Sequence, residues 1–179
     1  MPKDDFRTAI TVFLTGAPEL EAAHWELYPE RVGEGIPLSI TLLYPFVPRD
    51  TLDEEQLTAL RTFFASRGPL TFDLARIEEF PGEVVYAVPE PDDELRATMR
   101  ELWTRFADYP PYGNAGSDPP PHASLGRFAA DPDPDTLRTR VEQRVGPLLP
   151  ASFVVREATL MEMYEPDRWR IRTTFPFAS

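Results

Sequence analysis

The sequence contains no cysteine, no long apolar run and only two histidines in 179 residues. Without cysteine, the chain forms no disulfide and offers no thiolate to a metal ion. No apolar run approaches the roughly 20 residues of a membrane-spanning helix. Asp4, Asp5 and Arg7 precede the first apolar stretch without the pattern of a signal peptide. We therefore expect a cytoplasmic protein without membrane contact.

Positive charge is scarce as well. Lys and Arg total 18 against 30 Asp and Glu, so the net charge is −12. This balance argues against binding to a long nucleic acid duplex, because that affinity comes mainly from Lys and Arg on phosphates. A small phosphorylated ligand in a locally basic pocket is still compatible with it. No sequence pattern indicates a protein partner.

Proline, in contrast, is abundant. The 21 prolines cluster in 110–121 and 132–150, which indicates stiff loops between compact elements. Hydrophobic spacing predicts helices and strands. The helices are predicted at 18–28, 53–66, 92–107 and 134–145, and the strands at 6–14, 40–46, 70–80, 84–88, 122–128, 152–164 and 168–177. This order predicts one α+β domain over residues 1–179, in which the second half roughly repeats the first.

Two short segments of the chain resemble each other: PLSITLLYPF and PPHASLGRF. When they are aligned, Thr41 matches Ser124, while Ser39 matches His122. Residues two apart on a strand point to the same side of a sheet. We therefore expect the four side chains to face one cleft, provided that the two strands are counterparts in two similar lobes. These motif strands span about 37–46 and 120–128.

The two segments, together with the closing EMYEPDRWRIRTTFPF, resemble the 2H phosphoesterase superfamily, which includes 2′-5′ RNA ligase-like proteins and cyclic phosphodiesterases. Its members carry two H-x-[S/T] motifs, with an ITLLYPF-like tail on the first and an LGRF-like tail on the second. The resemblance extends from the first strand to Phe177. It implies two pseudo-symmetric lobes of antiparallel sheet with outer helices and a cleft between them. It also implies chemistry that uses no metal and no cofactor.

In that family, two histidines and two hydroxyls surround a phosphate. One imidazole takes a proton from the attacking group and the other protonates the leaving oxygen. The resemblance assigns His122 to proton transfer, and Thr41 and Ser124 to the phosphate oxygens. At the fourth position this chain has Ser39, which does not exchange a proton near pH 7 as imidazole does. Because one such group contributes roughly 10²–10⁴-fold, weakened catalysis is expected.

Other residues are candidates to replace the missing imidazole. His24 lies on a predicted helix that should cover the outer face of a sheet, so packing is its expected role. Glu34 precedes the first motif, and Tyr44 follows it. Ser39 itself could act as a nucleophile with His122 as its base.

Several arginines lie near the motifs. Arg127 follows the second motif and points to the opposite face if that strand is regular. Alternating arginines on the last strand share one side, and they form either a solvated face or a basic wall with Trp169 and Ile171 turned inward as core. These arginines are Arg168, Arg170 and Arg172. Arg127 and Arg170 are the candidate substrate contacts among them.

Aromatic residues are candidates to stack a base, a contact worth roughly 1–3 kcal/mol. Those near the motifs are Phe46, Tyr86, Trp103 and Tyr112. Packing is the expected role of Trp103, because it lies on an amphipathic helix. Tyr112 is the better candidate because it lies in the proline-rich loop just before the second motif. Tyr44 is a further candidate for substrate contact.

These expectations converge on a hydrolase-like protein with a degenerate active site. It would act on or bind nucleotides with a 2′,3′-cyclic phosphate or a 2′-5′ phosphodiester, so that its ligand is a small phosphorylated molecule or an RNA end. Two alternatives remain open: a non-catalytic protein that binds nucleotides or small anions, and a cleft re-used for another small molecule.

Overall fold

The computed structural model describes residues 6–179, and residues 1–5, including Asp4 and Asp5, lie outside the described part. Five α-helices of the described part are α1 (Pro18–Leu27), α2 (Pro29–Glu34), α3 (Glu54–Ala65), α4 (Asp93–Arg105) and α5 (Pro134–Val145). The strands are β1 (Thr8–Phe13), β2 (Ser39–Leu43), β3 (Leu70–Phe80), β4 (Val84–Glu90), β5 (Ala123–Arg127), β6 (Ala151–Val155), β7 (Glu157–Glu165) and β8 (Arg168–Pro176). Within residues 6–179, no helix combines the length and apolar character needed to cross a membrane.

The eight strands form one curled antiparallel sheet in the order β6-β3-β4-β5-β2-β1-β7-β8. The junction at its centre joins β5 to β2 and divides the sheet into two halves of four strands. The α+β class and the two-lobed antiparallel arrangement expected from the sequence are therefore confirmed. One half consists of the consecutive strands β3 to β6, and the other combines β1 and β2 with β7 and β8, so the lobes do not correspond to the first and second halves of the chain.

The helices cover one face of this sheet. Helices α3 and α4 pack on the half that contains β2 and β8, whereas α1 and α5 pack on the half that contains β4 and β5. Alternate strand residues bury their apolar side chains under these helices, among them Ile10, Val12, Ile40, Leu42 and Leu125. The remaining strand positions project from the other face of the sheet.

Local sequence signals explain several elements. Helix α3 begins at a capping box, in which the Asp53 side chain accepts from the Gln56 backbone N–H at 2.8 Å and the Gln56 side chain accepts from the Asp53 N–H at 3.0 Å. Its apolar face is buried through Leu57, Leu60 and Phe64. The predicted hairpin is present, because β3 pairs with β4 around the turn at Pro81 and Gly82.

Two predictions about the elements are wrong. The predicted strand 152–164 is two strands separated at Arg156, and these lie in different halves of the sheet because β6 pairs with β3 while β7 pairs with β1. The sequence predicts no helix between residues 28 and 40, yet this segment contains α2. This helix ends at Gly35, whose φ of 76° is a left-handed conformation suited to glycine.

Candidate functional site

The two motif strands are neighbours at the centre of the sheet. Strand β2 pairs with β5 through Ile40 and Ala123, and both side chains are fully buried under the helices. Because side chains alternate along a strand, the polar motif residues project from the opposite face. We call this face the motif face; its central residues are Ser39, Thr41, His122 and Ser124.

The antiparallel register sets which of these side chains are opposite each other. Counting outward from the Ile40–Ala123 pair places Thr41 opposite His122 and Ser39 opposite Ser124. Cross-strand neighbours have Cβ atoms about 4.5–5.5 Å apart, and diagonal neighbours about 7–8 Å. The structure therefore brings the four predicted residues together as neighbours on one face of the sheet.

His122 has a defined hydrogen bond and an aromatic environment. Its Nδ1 lies 2.8 Å from the carbonyl oxygen of Pro120, which can only accept, so Nδ1 carries a proton. The ring makes edge contacts with Phe80 and Tyr86 at centroid distances of 5.0 and 5.4 Å. In the neutral ring, Nε2 therefore has a free lone pair.

Burial lowers the pKa of His122 below its ordinary value; the Pro120 carbonyl opposes this shift, and the positive charge of Arg31 lowers the pKa further. The imidazole is consequently neutral at pH 7 and suited to accept a proton. The hydroxyls of Ser39, Thr41 and Ser124 form no hydrogen bond with any group in residues 6–179. They are available to a ligand.

An aromatic wall, formed by Tyr44, Tyr112 and Trp169, follows the first motif. The Tyr44 ring makes edge contacts with Tyr112 at 6.5 Å and with Trp169 at 6.0 Å. The Tyr44 carbonyl accepts from the Tyr112 backbone N–H at 2.6 Å, and its hydroxyl accepts from Arg7 at 3.2 Å.

Tyr112 has a left-handed backbone with φ of 53° and a side chain about half exposed. A non-glycine residue in that conformation stores strain, and such residues concentrate at binding sites. Of the other aromatic candidates, Tyr86 lies beside His122, whereas Phe46 is buried in the core and Trp103 packs under the sheet, donating to the Leu42 carbonyl at 2.8 Å.

The expectation that Arg170 belongs to a basic wall in the cleft is wrong. Arg170 is opposite Glu162 on β7, and Glu162 is opposite Thr8 on β1. Residues three apart on a strand point to opposite faces, so Thr8 and Thr11 project from different faces of the sheet. Thr11 is opposite Thr41 and shares its face. Arg170, which shares the face of Thr8, therefore lies on the other side of the sheet from Thr41.

The Arg170 guanidinium donates to the Glu162 carboxylate at 2.8 Å, and Arg172 donates to the same carboxylate at 2.9 Å. Ile171 is 54% exposed and is therefore not core, while Trp169 contributes to the aromatic wall. Arg127 is paired with Glu30 of α2 at 3.1 Å.

His24 is buried, as the packing role predicts, with 2% of its surface exposed. Its Nε2 lies 3.2 Å from the Ile36 carbonyl oxygen. Burial lowers the pKa of His24. Across residues 6–179, no cluster of three or more histidine, aspartate or glutamate side chains is arranged to hold a metal ion.

Sequence reasoning missed Arg31 and Phe80. Phe80 is half-buried at the end of β3, and the pairing of β3 with β4 and of β4 with β5 brings its ring to His122. Arg31 lies in a segment for which the sequence predicts no helix or strand, and its place beside the second motif depends on the ion pair that holds α2 to Arg127 of β5. The signal that could have indicated Arg31 is its position shortly before the first motif, in a chain with little positive charge.

The family model of the 2′-5′ RNA ligase superfamily matches residues 10–167. Among solved structures, E. coli LigT in complex with 3′-AMP is 18% identical, with a TM-score of 0.60, covering 98% of this chain and 100% of LigT. TT0787 of Thermus thermophilus is 20% identical, with a TM-score of 0.55 and coverage of 96% and 97%. Kluyveromyces marxianus Usb1 is 14% identical, with a TM-score of 0.55 and coverage of 98% and 100%.

At these identities the solved structures establish a shared fold. LigT has also been solved with ATP, with NADP+ and with phosphate. No curated protein sequence matches the chain significantly. Because the family model spans most of the chain, and the fold agrees with it over nearly the full length, this protein belongs to the 2′-5′ RNA ligase superfamily.

Proposed function

We propose that this protein binds nucleotides that carry a 2′,3′-cyclic phosphate or a 2′-5′ phosphodiester, and that it hydrolyses them slowly with His122 as its one proton-transferring imidazole. The observation that carries the proposal is the cross-strand register of β2 and β5. This register groups His122 with three hydroxyls on one face. The complexes of LigT with 3′-AMP, ATP and NADP+ support a nucleotide ligand.

The proposed reaction uses the geometry of the motif face. His122 accepts a proton from the attacking water through Nε2, because its Nδ1–H is bound to Pro120. Thr41 and Ser124 donate hydrogen bonds to the non-bridging phosphate oxygens. Ser39 occupies the place of the second acid–base group but does not supply a proton readily, so the leaving oxygen must be protonated by solvent. A rate roughly 10²–10⁴-fold below that of a two-imidazole site follows.

The aromatic wall supplies the proposed contact for the nucleobase. The ring of Tyr112 is half exposed beside Tyr44, so both present aromatic surface next to the first motif. Arg127 adds positive charge at the end of β5, where Glu30 holds its guanidinium. With a net charge of −12 over the whole chain, the protein would favour short ligands or RNA ends over long duplexes. A cytoplasmic location is part of the proposal, because such ligands are available there.

The experiment measures hydrolysis of nucleoside 2′,3′-cyclic phosphates and a 2′-5′ dinucleotide by the wild type and by His122→Ala. We expect slow turnover that His122→Ala abolishes, because the proton acceptor is lost. Thr41→Val and Ser124→Ala should weaken substrate binding, whereas Thr104→Ala, which removes an exposed helix hydroxyl, should change neither quantity. Turnover that survives His122→Ala in a folded protein would contradict the proposal.

Binding without turnover is a second candidate function, and Ser39 is the observation that favours it. In that case the wild type would bind a nucleoside 2′-monophosphate and its cyclic analogue, yet release no product. Binding should then depend on Thr41 and Ser124, and neither the wild type nor His122→Ala should release product. The same assays therefore separate a slow enzyme from a binding protein.

A further inference from the structure

Helix α2 crosses from one half of the sheet to the other. At its start, Glu30 binds Arg127 of β5 at 3.1 Å. At its end, a Cβ placed on Gly35 would lie 3.1 Å from the carbonyl oxygen of Trp169 in β8. Strands β5 and β8 are four positions apart in the sheet, about 19 Å if it were flat.

A helix of six residues is about 9 Å long, and the curl of the sheet together with the long side chains of Glu30 and Arg127 spans the remaining distance. The helix therefore closes one end of the cleft above the motif face. Arg31 lies in its middle, between the contact to β5 and the contact to β8.

The Arg31 guanidinium is held from two sides. It lies over the Tyr28 ring at 4.8 Å, and it donates to the Glu34 carboxylate at 2.8 Å. That is its one side-chain hydrogen bond to a partner in residues 6–179, so further N–H groups are left to donate. A quarter of the Arg31 side chain is exposed. The arrangement is typical of a pre-oriented guanidinium that can accept a second anion.

The positive charge of Arg31 reaches residues on three different elements. It lowers the pKa of His122 beyond the lowering that burial causes, and it opposes the effect of burial on the pKa of Tyr112. It also adds to the lowering of the pKa of His24 by burial. Among the described residues, Arg31 is the cation whose charge acts on His122 in this way. Since α2 is held between Arg127 of β5 and Trp169 of β8, a phosphate placed beside His122 would be within reach of the same charge.

We propose that Arg31 is the phosphate-binding cation of the cleft and that Glu34 is a built-in competitor for its guanidinium. Glu34 lies three residues after Arg31 on the same helix, and 16% of its side chain is exposed. An incoming phosphate offers Arg31 two parallel hydrogen bonds in place of the single one that Glu34 accepts. Ligands with a full phosphate charge displace the carboxylate, and neutral or weakly charged ligands do not. This inference rests on the proposed function for the position of the phosphate.

The test measures binding of inorganic phosphate and of a nucleoside 2′-monophosphate by calorimetry at low ionic strength, where charge effects are least screened. Arg31→Gln should weaken binding by about tenfold to a hundredfold, the range expected for one charge-assisted hydrogen bond pair. Glu34→Gln should tighten binding by about threefold to tenfold, because the amide no longer competes as an anion. Arg31→Lys should retain part of the affinity because it keeps the charge.

Arg61 and Glu54 provide a matched control, since they form an exposed ion pair at 2.7 Å on helix α3. Arg61→Gln and Glu54→Gln should leave phosphate binding unchanged. Circular dichroism and thermal melts of each variant separate loss of binding from loss of folding.

The opposite signs of the Arg31 and Glu34 effects distinguish ligand binding from a structural role for α2. If α2 only supported the fold, both variants would weaken binding alike, and that result would overturn the inference. Unchanged phosphate affinity in folded Arg31→Gln, or a wild type that binds no phosphate, would overturn it as well. Turnover of cyclic phosphates is measured separately. The proposed function can therefore fail while phosphate binding through Arg31 holds, and turnover can be present while phosphate binding does not depend on Arg31.

Discussion

Replacing Ser39 by histidine would give the motif face a second imidazole. Ser39 is half-buried on a central strand, so the change should cost the fold about 1 kcal/mol, the typical effect of a single substitution. It is a diagonal neighbour of His122 across the two strands, and such Cβ atoms are about 7–8 Å apart. Two imidazoles reaching inward from these positions can contact opposite sides of one phosphate.

The expected gain follows from the missing acid–base group. A positioned general acid contributes roughly 10²–10⁴-fold to the rate, which corresponds to about 3–5 kcal/mol of transition-state free energy. The kcat of Ser39→His for nucleoside 2′,3′-cyclic phosphates should therefore rise by about that factor, with little change in KM. Ser39→Ala serves as the control and should leave kcat near the wild-type value.

The pH profile gives a second, independent readout. His122 acts as a base and burial lowers its pKa, so wild-type kcat/KM should fall as the pH drops through a value below the ordinary pKa of histidine. Above that value the rate should be level. Ser39→His should add a falling limb on the alkaline side, because the introduced imidazole must be protonated to act as the acid.

The reasoning is refuted if Ser39→His is folded and binds the substrate but shows neither faster turnover nor a bell-shaped profile. It is also refuted if the wild type already turns over as fast as Ser39→His does. In that case another group would be supplying the second proton transfer.

Three further predictions concern the fold around the site. Gly126→Ala should lower the free energy of unfolding by about 1–3 kcal/mol in urea melts, because its new Cβ would lie 2.8 Å from Leu137 Cδ1. Trp103→Phe should cost about 1–3 kcal/mol in the same assay, since the Leu42 carbonyl loses its donor; an unchanged midpoint would contradict this. Burial raises the pKa of Glu162, but hydrogen bonds from its two arginine partners outweigh burial and lower it, so stability should fall as the pH drops through that lowered pKa. A flat pH dependence for the wild type, matching Glu162→Gln, would contradict the last prediction.

Much of the architecture could be predicted because it depends on local patterns. The spacing of Leu57, Leu60 and Phe64 indicates helix α3, and the turn at Pro81 and Gly82 indicates the β3–β4 hairpin. The two motif segments could be recognised for the same reason. Strand alternation places the two polar residues of each motif, Ser39 with Thr41 and His122 with Ser124, on one side whatever the partner strand is.

Other features depend on pairing between distant segments. Arg156 separates two strands of different sheet halves, although no glycine or proline marks the break. The alternation of arginines on β8 does not reveal which face they occupy, and the pairing with Glu162 decides that Arg170 faces away from Thr41.

The sequence by itself determined the four central residues of the site, the family and the absence of a second motif histidine. Only the tertiary structure decided that β2 and β5 are neighbours in a register that sets Thr41 opposite His122, and that α2 contacts both Arg127 of β5 and Trp169 of β8. The physical reason is that side-chain periodicity is a local property of the backbone. Strand order, register and the curl of the sheet result from which distant apolar faces are buried together.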